Sequence, residues 1–320
     1  MTNLKICVLG ASGFVGANVS EYLNKNDYQV VGIGTSKKPW RMDNLNIDYV
    51  SVSRNSLVDE LNNLNPKILI NLVAHGGYSF QKNSKRIIDA NLTLTEEIAS
   101  WALKNNAIII HAGSSSEYGR NSSAPLENSE PFPNSLYSIT KLASTQLLQH
   151  LSTLGLKSVV LRLYSIYGPK EDPSRLMPSV IRGMFSKDWP KFTDPRIGRD
   201  FLYVQDLNDV IEIIIQKYKS ENNQNFEIYN VGSGKLTRIG DLVNILTTDF
   251  GMPFQDKNDY KPRDWDVFDW YANIDKIQDH FNWKPKVDLK NGLNLMKKWY
   301  EENENLKFLD LKYSAKGSTV

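Results

Sequence analysis

Short runs of β-branched and other apolar residues alternate, over the first half of the chain, with segments whose apolar positions recur at helical spacing. The strand-like runs are Lys5 to Leu9, Gln29 to Ile33, Ile68 to Val73, Ala107 to His111 and Ser158 to Leu163. The helix-like segments are Val15 to Asn24, Asn91 to Lys104 and Tyr137 to Leu151. Such alternation is typical of parallel strands joined by crossover helices on both faces of a sheet. The pattern therefore predicts an α/β fold with a doubly wound parallel sheet of the Rossmann type.

The pattern changes after Gly168 and Pro169, where Pro, Trp and Asp become more frequent. A strand-like run from Asp200 to Val204 precedes a helical segment that starts at Asp206. This predicts a smaller mixed α/β substrate-binding region, interleaved with the first. We expect a dinucleotide-binding domain over residues 1–168 and about 200–232, a substrate domain over about 169–199 and 233–304, and a tail over 305–320.

Composition excludes several classes of protein. Lys and Arg number 38 and Asp and Glu 36, and this formal charge of +2 gives no general attraction to nucleic acid or to an anionic membrane. The apolar runs, such as residues 108–110, are far shorter than the roughly 20 residues that cross a bilayer. The N-terminal residues lack the pattern of a secretory signal, so a cytoplasmic protein is expected.

Cysteine and histidine usage predicts neither a disulfide nor a metal site. The single cysteine, Cys7, lies in an apolar run and is expected in the core. The four histidines show no ligand spacing; they are His75, His111, His150 and His280.

A glycine-rich turn follows the first strand directly and opens a helix. It reads Gly10-Ala11-Ser12-Gly13-Phe14-Val15-Gly16. The first glycine permits a tight turn, the second lets backbone N–H groups approach a pyrophosphate, and the third lets the helix pack close to the sheet. The N-terminus of the helix favours the phosphate charge. The turn therefore predicts a dinucleotide site.

The end of the second strand bears on which dinucleotide binds. An acid at this place usually holds the adenosine ribose of NAD, but the chain reads Gly34-Thr35-Ser36-Lys37-Lys38. Two hydroxyls and two cations stand where a 2′-phosphate requires partners. NADP(H) is therefore favoured over NAD(H). The alternative is that the two lysines belong only to a solvated loop.

Tyr137 and Lys141 lie four residues apart, which places a phenol and an ammonium on one face of a helix. The ammonium, helped by a positive nicotinamide ring, is expected to lower the pKa of the phenol from about 10 and so allow proton exchange with a sugar oxygen. The spacing alone is weak, because Tyr78 and Lys82 share it. Only Tyr137 follows a serine cluster, at residues 114–116, that leaves a strand at the carboxyl edge of the sheet.

Together these motifs resemble the extended short-chain dehydrogenase/reductase family, in its nucleotide-sugar epimerase, dehydratase and keto-reductase branch. The resemblance reaches to about Glu301 and covers nearly the whole chain. Beyond the glycine turn and the Tyr137–Lys141 pair, it rests on Ser114-Ser115-Ser116-Glu117-Tyr118-Gly119, on Leu161-Arg162-Leu163-Tyr164-Ser165-Ile166-Tyr167-Gly168-Pro169, on Arg199-Asp200-Phe201-Leu202-Tyr203-Val204-Gln205-Asp206 and on Tyr229-Asn230-Val231-Gly232-Ser233-Gly234.

The resemblance implies a role for each matched residue. Tyr137 would be the general acid and base, Lys141 would hold the nicotinamide ribose, and Ser115 or Ser116 would bind the reacting oxygen. Glu117 is either a catalytic base or a loop carboxylate. The cofactor-side residues implied are Gly10, Ser12, Gly13, Phe14, Val15, Gly16, Thr35, Ser36, Lys37, Ala74 and Asn91. The substrate-side residues implied are Arg199 and Arg263 at the diphosphate of a nucleotide-diphosphate sugar, Phe192 at the base, and Ser165, where the family commonly has Asn.

Three reactions at C4 of the sugar share this machinery. The turn after the second strand favours NADPH-dependent reduction of a nucleotide-linked 4-keto-6-deoxy sugar. A 4,6-dehydratase or a 4-epimerase with retained cofactor is the alternative, and a sensor that binds dinucleotide without catalysis is a remote one. The resemblance also implies a homodimer built from the Asn91–Lys104 and Tyr137–Leu151 helices.

Overall fold

A computed structural model describes residues 4–219, 225–254, 267–302 and 305–314. Its strands are β1 Lys5–Leu9, β2 Gln29–Gly34, β3 Asp48–Ser51, β4 Ile68–Asn71, β5 Ile108–Ser114, β6 Lys157–Leu163, β7 Ser165–Tyr167, β8 Gly198–Arg199, β9 Phe201–Tyr203, β10 Phe226–Val231, β11 Thr237–Arg238 and β12 Asp269–Trp270. Its helices are α1 Phe14–Lys25, α2 Leu57–Leu64, α3 Ser84–Ile88, α4 Leu94–Asn105, α5 Leu136–Ser152, α6 Leu176–Ser186, α7 Val204–Lys219, α8 Ile239–Asp249, α9 Asp275–Phe281 and α10 Leu289–Glu301.

Seven strands form one parallel sheet in the order β10-β6-β5-β4-β1-β2-β3. Successive side chains of a strand point to opposite faces, so both faces of a central strand must be covered. Along β1, Ile6 and Val8 pack in a cluster with residues of α1 and α7, while Cys7 and Leu9 pack on the other side with residues of α2 and α4. The predicted doubly wound sheet of the Rossmann type is confirmed.

Two small sheets accompany the large one. Strands β11, β8 and β12 form a mixed sheet, and β7 pairs with β9. Their strands are only two or three residues long, and they bring together parts of the chain that are far apart in sequence. The predicted smaller mixed region is therefore present, although the boundaries between the two domains stay a prediction.

The segment after α10 differs from the predicted tail. Its described residues, 305–314, form two short 3-10 turns. Phe308 and Leu309 are buried, and the Phe308 ring stacks on Trp40 with ring centres 4.4 Å apart. The Ser314 hydroxyl donates to the Asp172 carboxylate over 3.0 Å. Apolar contacts and this hydrogen bond fix a segment whose periodicity is too weak to reveal packing.

Within the described ranges, none of the helices has the length and apolar character that crossing a membrane demands.

Candidate functional site

The glycine turn joins β1 to α1 at the carboxyl edge of the large sheet. Gly10 has a φ of +80°, in the left-handed region that favours glycine. A Cβ on Gly16 would overlap the carbonyl oxygen of Gly10, so the helix packs too closely for any side chain there. The cap residue of α1 is Gly13, and no side chain caps the helix or places an acid in its first turn. Since N-terminal N–H groups attract anions, the turn fits a pyrophosphate.

The last residue of β2, Gly34, stands where an acid would hold the ribose of NAD, and two side chains lie close to it. A Cβ on Gly34 would lie 2.5 Å from the Tyr49 hydroxyl and 2.9 Å from Oγ of Ser12. The Tyr49 hydroxyl also donates to the Ser36 carbonyl over 2.8 Å. These contacts fix the turn, while Thr35, Ser36 and Lys37 remain exposed beside it.

The hydroxyl that lies beside the phenol of Tyr137 belongs to Ser114, the last residue of β5. Burial raises the pKa of Tyr137, and a hydrogen bond with Ser114 opposes that rise. The Ser114 hydroxyl also shares a hydrogen bond of 2.8 Å with Ser116 and accepts the Ser116 N–H. Ser114 was missed as a candidate, although its place at the carboxyl end of a parallel strand is a signal that sequence provides.

The two serines chosen from the sequence have other roles in the structure. Oγ of Ser115 accepts a hydrogen bond of 2.9 Å from Nε1 of Trp270, on β12. Ser116 bonds to Ser114 and so supports it. Of the three serines, Ser114 is the one whose hydrogen bond lowers the pKa of Tyr137, so the geometry favours Ser114, and a direct role for Ser115 or Ser116 at the reacting oxygen stays a prediction.

Glu117 is a buried structural carboxylate rather than a free base. One oxygen accepts the Ser114 N–H over 2.8 Å, and the other accepts from Nε of Arg162 over 2.9 Å and from the Thr145 hydroxyl over 3.0 Å. Its side chain is fully buried, and a Cβ on Gly113 would lie 2.9 Å from it. These partners tie the serine turn to β6 and α5, so of the two interpretations of Glu117 the geometry matches the loop carboxylate.

Lys141 lies on α5, one helical turn beyond Tyr137. It is 1% exposed, and its Nζ has no hydrogen-bond partner among the described residues. Desolvation lowers the pKa of Lys141 to about 8, against the opposing attraction of Glu117. A buried ammonium without partners is costly and requires acceptors from a ligand. The hydroxyls of a nicotinamide ribose supply such acceptors, so Lys141 and the glycine turn both fit a dinucleotide.

The pKa of the Tyr137 phenol is shifted in the opposite direction from the one expected from the sequence. The ammonium was expected to lower the pKa of Tyr137, whereas burial raises it and the negative charge of Glu117 adds to the rise. The nearby guanidinium of Arg175 lowers it in part. The protein alone therefore holds the phenol protonated, and a positive nicotinamide ring beside it would lower the pKa of Tyr137.

Asn91 connects the loop after β4 to the helix that bears the phenol. It lies fully buried in a π-helical turn at Asp89–Thr93, a feature frequent at functional sites. Its amide accepts the His75 N–H, donates to the His75 carbonyl and donates to the Thr140 hydroxyl, each over 2.9 Å. Ala74, immediately before His75, is exposed at the carboxyl edge of the sheet. Asn91 thereby fixes the loop opposite Tyr137.

The substrate-side residues are only partly brought together. Arg199 donates to the carbonyls of Gly198 and Val267 over 2.8 and 2.9 Å, and Ser165 bonds through its N–H to the Asp200 carbonyl over 3.0 Å.

Phe192 and Arg263 give different outcomes. Phe192 is 4% exposed and packs in the apolar core of the smaller region, and its place beside a nucleotide base stays a prediction. Because its neighbours in sequence are polar, the local pattern does not predict that Phe192 is buried. Arg263 lies outside the described residues.

Comparison with known proteins places these features in a family. The model of the family described as "NAD dependent epimerase/dehydratase family" matches residues 6–232. The chain is 26% identical to Protein CapI of Staphylococcus aureus, over 93% of this chain and 99% of that protein. It is 27% identical to UDP-glucuronate 4-epimerase 6 of Arabidopsis thaliana, over 93% of this chain and 71% of that protein.

A solved structure shares the fold. It is a dTDP-glucose 4,6-dehydratase from Bacillus anthracis in complex with NAD, with a TM-score of 0.81 and 23% identity over 96% of this chain and 100% of that one. At this identity the likeness concerns the fold alone.

Proposed function

The chain belongs to the NAD dependent epimerase/dehydratase family, and from that membership we propose that it is a nucleotide-sugar 4-epimerase acting on a UDP-linked hexose. Membership confirms the resemblance drawn from the motifs and the expectation of an enzyme. The relatives named above support the choice of reaction and nucleotide, since one of them is a UDP-glucuronate 4-epimerase.

The observation that carries the proposal is the bond between Ser114 and Tyr137, with the unpartnered Lys141 one helical turn away, at the carboxyl edge of the same sheet that carries the glycine turn. A bound nicotinamide ring supplies the acceptor and donor of hydride at C4 of the sugar. Tyr137 takes the proton of the C4 hydroxyl and later returns it, while Ser114 bonds the same oxygen. Lys141 binds the cofactor ribose, and the positive charge of an oxidised nicotinamide ring favours the phenolate.

Dehydration requires an acid and a base next to the catalytic hydroxyl, and the two positions that follow Ser114 supply neither. With Ser114 as that hydroxyl, the two following positions are Ser115 and Ser116, which bear no carboxylate. Glu117 comes one position later and is engaged by Arg162 and Thr145. The geometry thus favours reactions that oxidise or reduce C4 without elimination.

Reduction of a 4-keto sugar with NADPH is the second candidate, favoured by the turn after β2. Gly34 stands where an acid would hold an NAD ribose, and the exposed Lys37 is available to a 2′-phosphate. We expect Lys37→Ala to weaken NADPH binding about tenfold and to leave NADH binding unchanged. Equal effects on both cofactors would assign Lys37 to a solvated loop.

Cofactor retention and stoichiometry together test the proposed function. The purified protein is denatured, any released dinucleotide is identified, and the native protein is assayed with UDP-glucose and UDP-glucuronic acid. A 4-epimerase releases retained NAD and forms the C4 epimer with no added dinucleotide. Release of no dinucleotide, with one NADPH consumed per product formed from a 4-keto sugar, would contradict epimerisation and establish the reductase.

A homodimer through α4 and α5 is part of the proposal. The two helices contact each other, and Ile139 on α5 is 49% exposed. Light scattering should give twice the chain mass, and Ile139→Asp should shift the protein towards the monomer. A wild-type monomer would exclude this assembly.

A further inference from the structure

The C-terminal segment, residues 305–314, lies against two loops that come from distant parts of the chain. The first loop, residues 35–43, follows β2, and the second, residues 168–175, follows β7. The ring of Phe308, in the segment, stacks on Trp40 of the first loop with ring centres 4.4 Å apart. Since Phe308 is buried, the stack is a packed contact that anchors the segment on the first loop.

Polar contacts anchor the same segment on the second loop. The Ser314 hydroxyl donates to the Asp172 carboxylate over 3.0 Å, and both residues are buried. The guanidinium of Arg182, on α6, donates to the carbonyls of Leu309 and Pro173 over 3.2 Å each. One cation therefore holds the segment and the second loop together.

The two loops are also joined to each other and to α1. Nε of Arg41, in the first loop, donates to the carbonyl of Lys170, in the second, over 2.8 Å. The Lys170 ammonium pairs with the Glu21 carboxylate over 2.5 Å, and the Asn18 amide donates to the Pro169 carbonyl over 2.9 Å. Glu21 and Asn18 lie on α1, which begins at the glycine turn. The segment, both loops and α1 thus form one connected unit.

The first loop also packs beside the glycine turn itself. A Cβ on Gly32 would lie 2.9 Å from Cβ of Ala11 and 3.3 Å from Cε of Met42, so these two side chains lie side by side over β2. Ala11 belongs to the turn and Met42 to the loop. Lys37, proposed for a 2′-phosphate, lies in the same loop. A displacement of this loop would therefore open the place where the adenosine end of a dinucleotide is expected.

We propose that residues 305–314 form a clasp that holds both loops closed beside the glycine turn and thereby slows the release of a bound dinucleotide. This rests on the proposed function, because a 4-epimerase must keep its NAD between the two hydride transfers at C4. The clasp acts through the loops, so its members are positioning residues.

The physical basis is the number of contacts that must break before the loops can open. Loops are ordinarily among the least stable parts of a fold, and their opening often limits the release of a bound molecule. Here opening breaks the stack on Trp40 together with the buried hydrogen bonds at Asp172 and Pro173. Because these contacts join protein to protein, their loss should speed entry and release alike and leave the Kd of the dinucleotide nearly unchanged.

The rate of dinucleotide release tests the proposal. Protein that carries NADH or NADPH is mixed with an excess of the oxidised form, and the loss of nicotinamide fluorescence gives the rate of release. For Phe308→Ala we expect release about tenfold faster, because the aromatic stack is lost. Equilibrium titration should give a Kd changed by less than about twofold.

Two further variants sharpen the test. Ser314→Ala removes one hydrogen bond, keeps the aromatic stack and should speed release about threefold. Phe281→Ala is the matched control, since it removes a ring on α9 that packs on Tyr229 with ring centres 5.2 Å apart. Release should stay at the wild-type rate in this control. Equal acceleration in Phe281→Ala and Phe308→Ala would assign the effect to a general loss of packing and would overturn the clasp.

Other outcomes would also overturn the proposal. Wild-type rates of release in Phe308→Ala and Ser314→Ala would show that the segment does not control the loops. A weaker Kd with an unchanged rate of release would mean that the segment supports the binding surface and not its opening. Should Phe308→Ala fail to fold, a wild-type rate in Ser314→Ala alone would overturn the clasp.

Failure of the clasp and failure of the proposed function can be told apart. Release is measured without a sugar nucleotide, so it does not depend on which reaction the enzyme catalyses. Faster release in the variants of a protein that forms no C4 epimer would support the clasp while contradicting the proposed reaction.

Discussion

The large sheet and the small-sheet region are built by different means. In the large sheet, β1, β4, β5 and their neighbours pair through backbone ladders with apolar side chains on both faces. In the small-sheet region, strands of two or three residues are held by buried carboxylates. Asp200 accepts from the Ser233, Gly234 and Ala272 N–H groups. The difference teaches that local pattern determines the large sheet, whereas long-range polar contacts determine the small-sheet region.

The largest expected effect lies on the side of the large sheet. Tyr137→Phe removes the group that exchanges the proton and should lower turnover by about 10²–10⁴-fold. Dinucleotide affinity should stay, because the glycine turn is untouched. Tyr300→Phe is the control, since that buried hydroxyl lies on α10 and has no hydrogen-bond partner among the described residues. Turnover at the wild-type rate in Tyr137→Phe would remove the phenol from the mechanism.

The next effect concerns the carboxylate that joins the serine turn to the large sheet. Glu117→Gln leaves the Arg162 guanidinium buried without its counter-charge and should lower the free energy of unfolding by about 3–5 kcal/mol in urea denaturation. Asp249→Asn, which removes a partly exposed ion pair with Lys290, should cost less than about 1 kcal/mol. Similar costs for the two variants would contradict the buried pairing.

Asp200→Asn should weaken the small-sheet region selectively. The amide keeps one acceptor oxygen and loses the charge, which should cost roughly 2–3 kcal/mol, as hydrogen bonds to charged groups do. Amide hydrogen exchange should rise at Ser233, Gly234 and Ala272 while β1 and β5 keep their protection. Uniform loss of protection across both regions would show that they unfold as one unit.

Lys141→Met should stabilise the protein while abolishing activity. Burial lowers the pKa of Lys141 to about 8 from its ordinary 10.5, so between these values the unfolded chain binds more protons than the folded one. Wild-type stability should therefore rise with pH from about 8 to 10.5, and Lys141→Met should lack this rise. At pH 7 the variant should be about 1–3 kcal/mol more stable, measured by urea denaturation. A less stable variant would mean that the ammonium has partners in solution.

The two regions also differ in how far sequence predicts them. Strand β1, the glycine turn and α1 follow from periodicity and glycine positions within 25 residues. Strand β3, at Asp48–Ser51, was missed because it is short and carries no apolar run. The strands at Gly198–Arg199 and Thr237–Arg238 were missed because two residues carry no period.

The same limit applies to the candidate site. Tyr137 and Lys141 lie on one face of a periodic helix and could be paired from their spacing, whereas Asn91 was named from the family resemblance. The Glu117–Arg162 pair joins residues 45 positions apart, and the Trp270–Ser115 bond joins residues 155 apart. No local sequence pattern reports such contacts. For this reason the sequence alone left open whether Glu117 is a catalytic base or a loop carboxylate.

Titration of the Tyr137 phenol, followed by the ultraviolet absorbance of phenolate in wild type minus Tyr137→Phe, tests the pairing of phenol and dinucleotide most directly. Without cofactor we expect ionisation above the ordinary value of 10, since burial raises the pKa of Tyr137. With saturating NAD⁺ the positive ring should move ionisation below pH 10. The same midpoint with and without NAD⁺ would contradict a phenol that faces the nicotinamide.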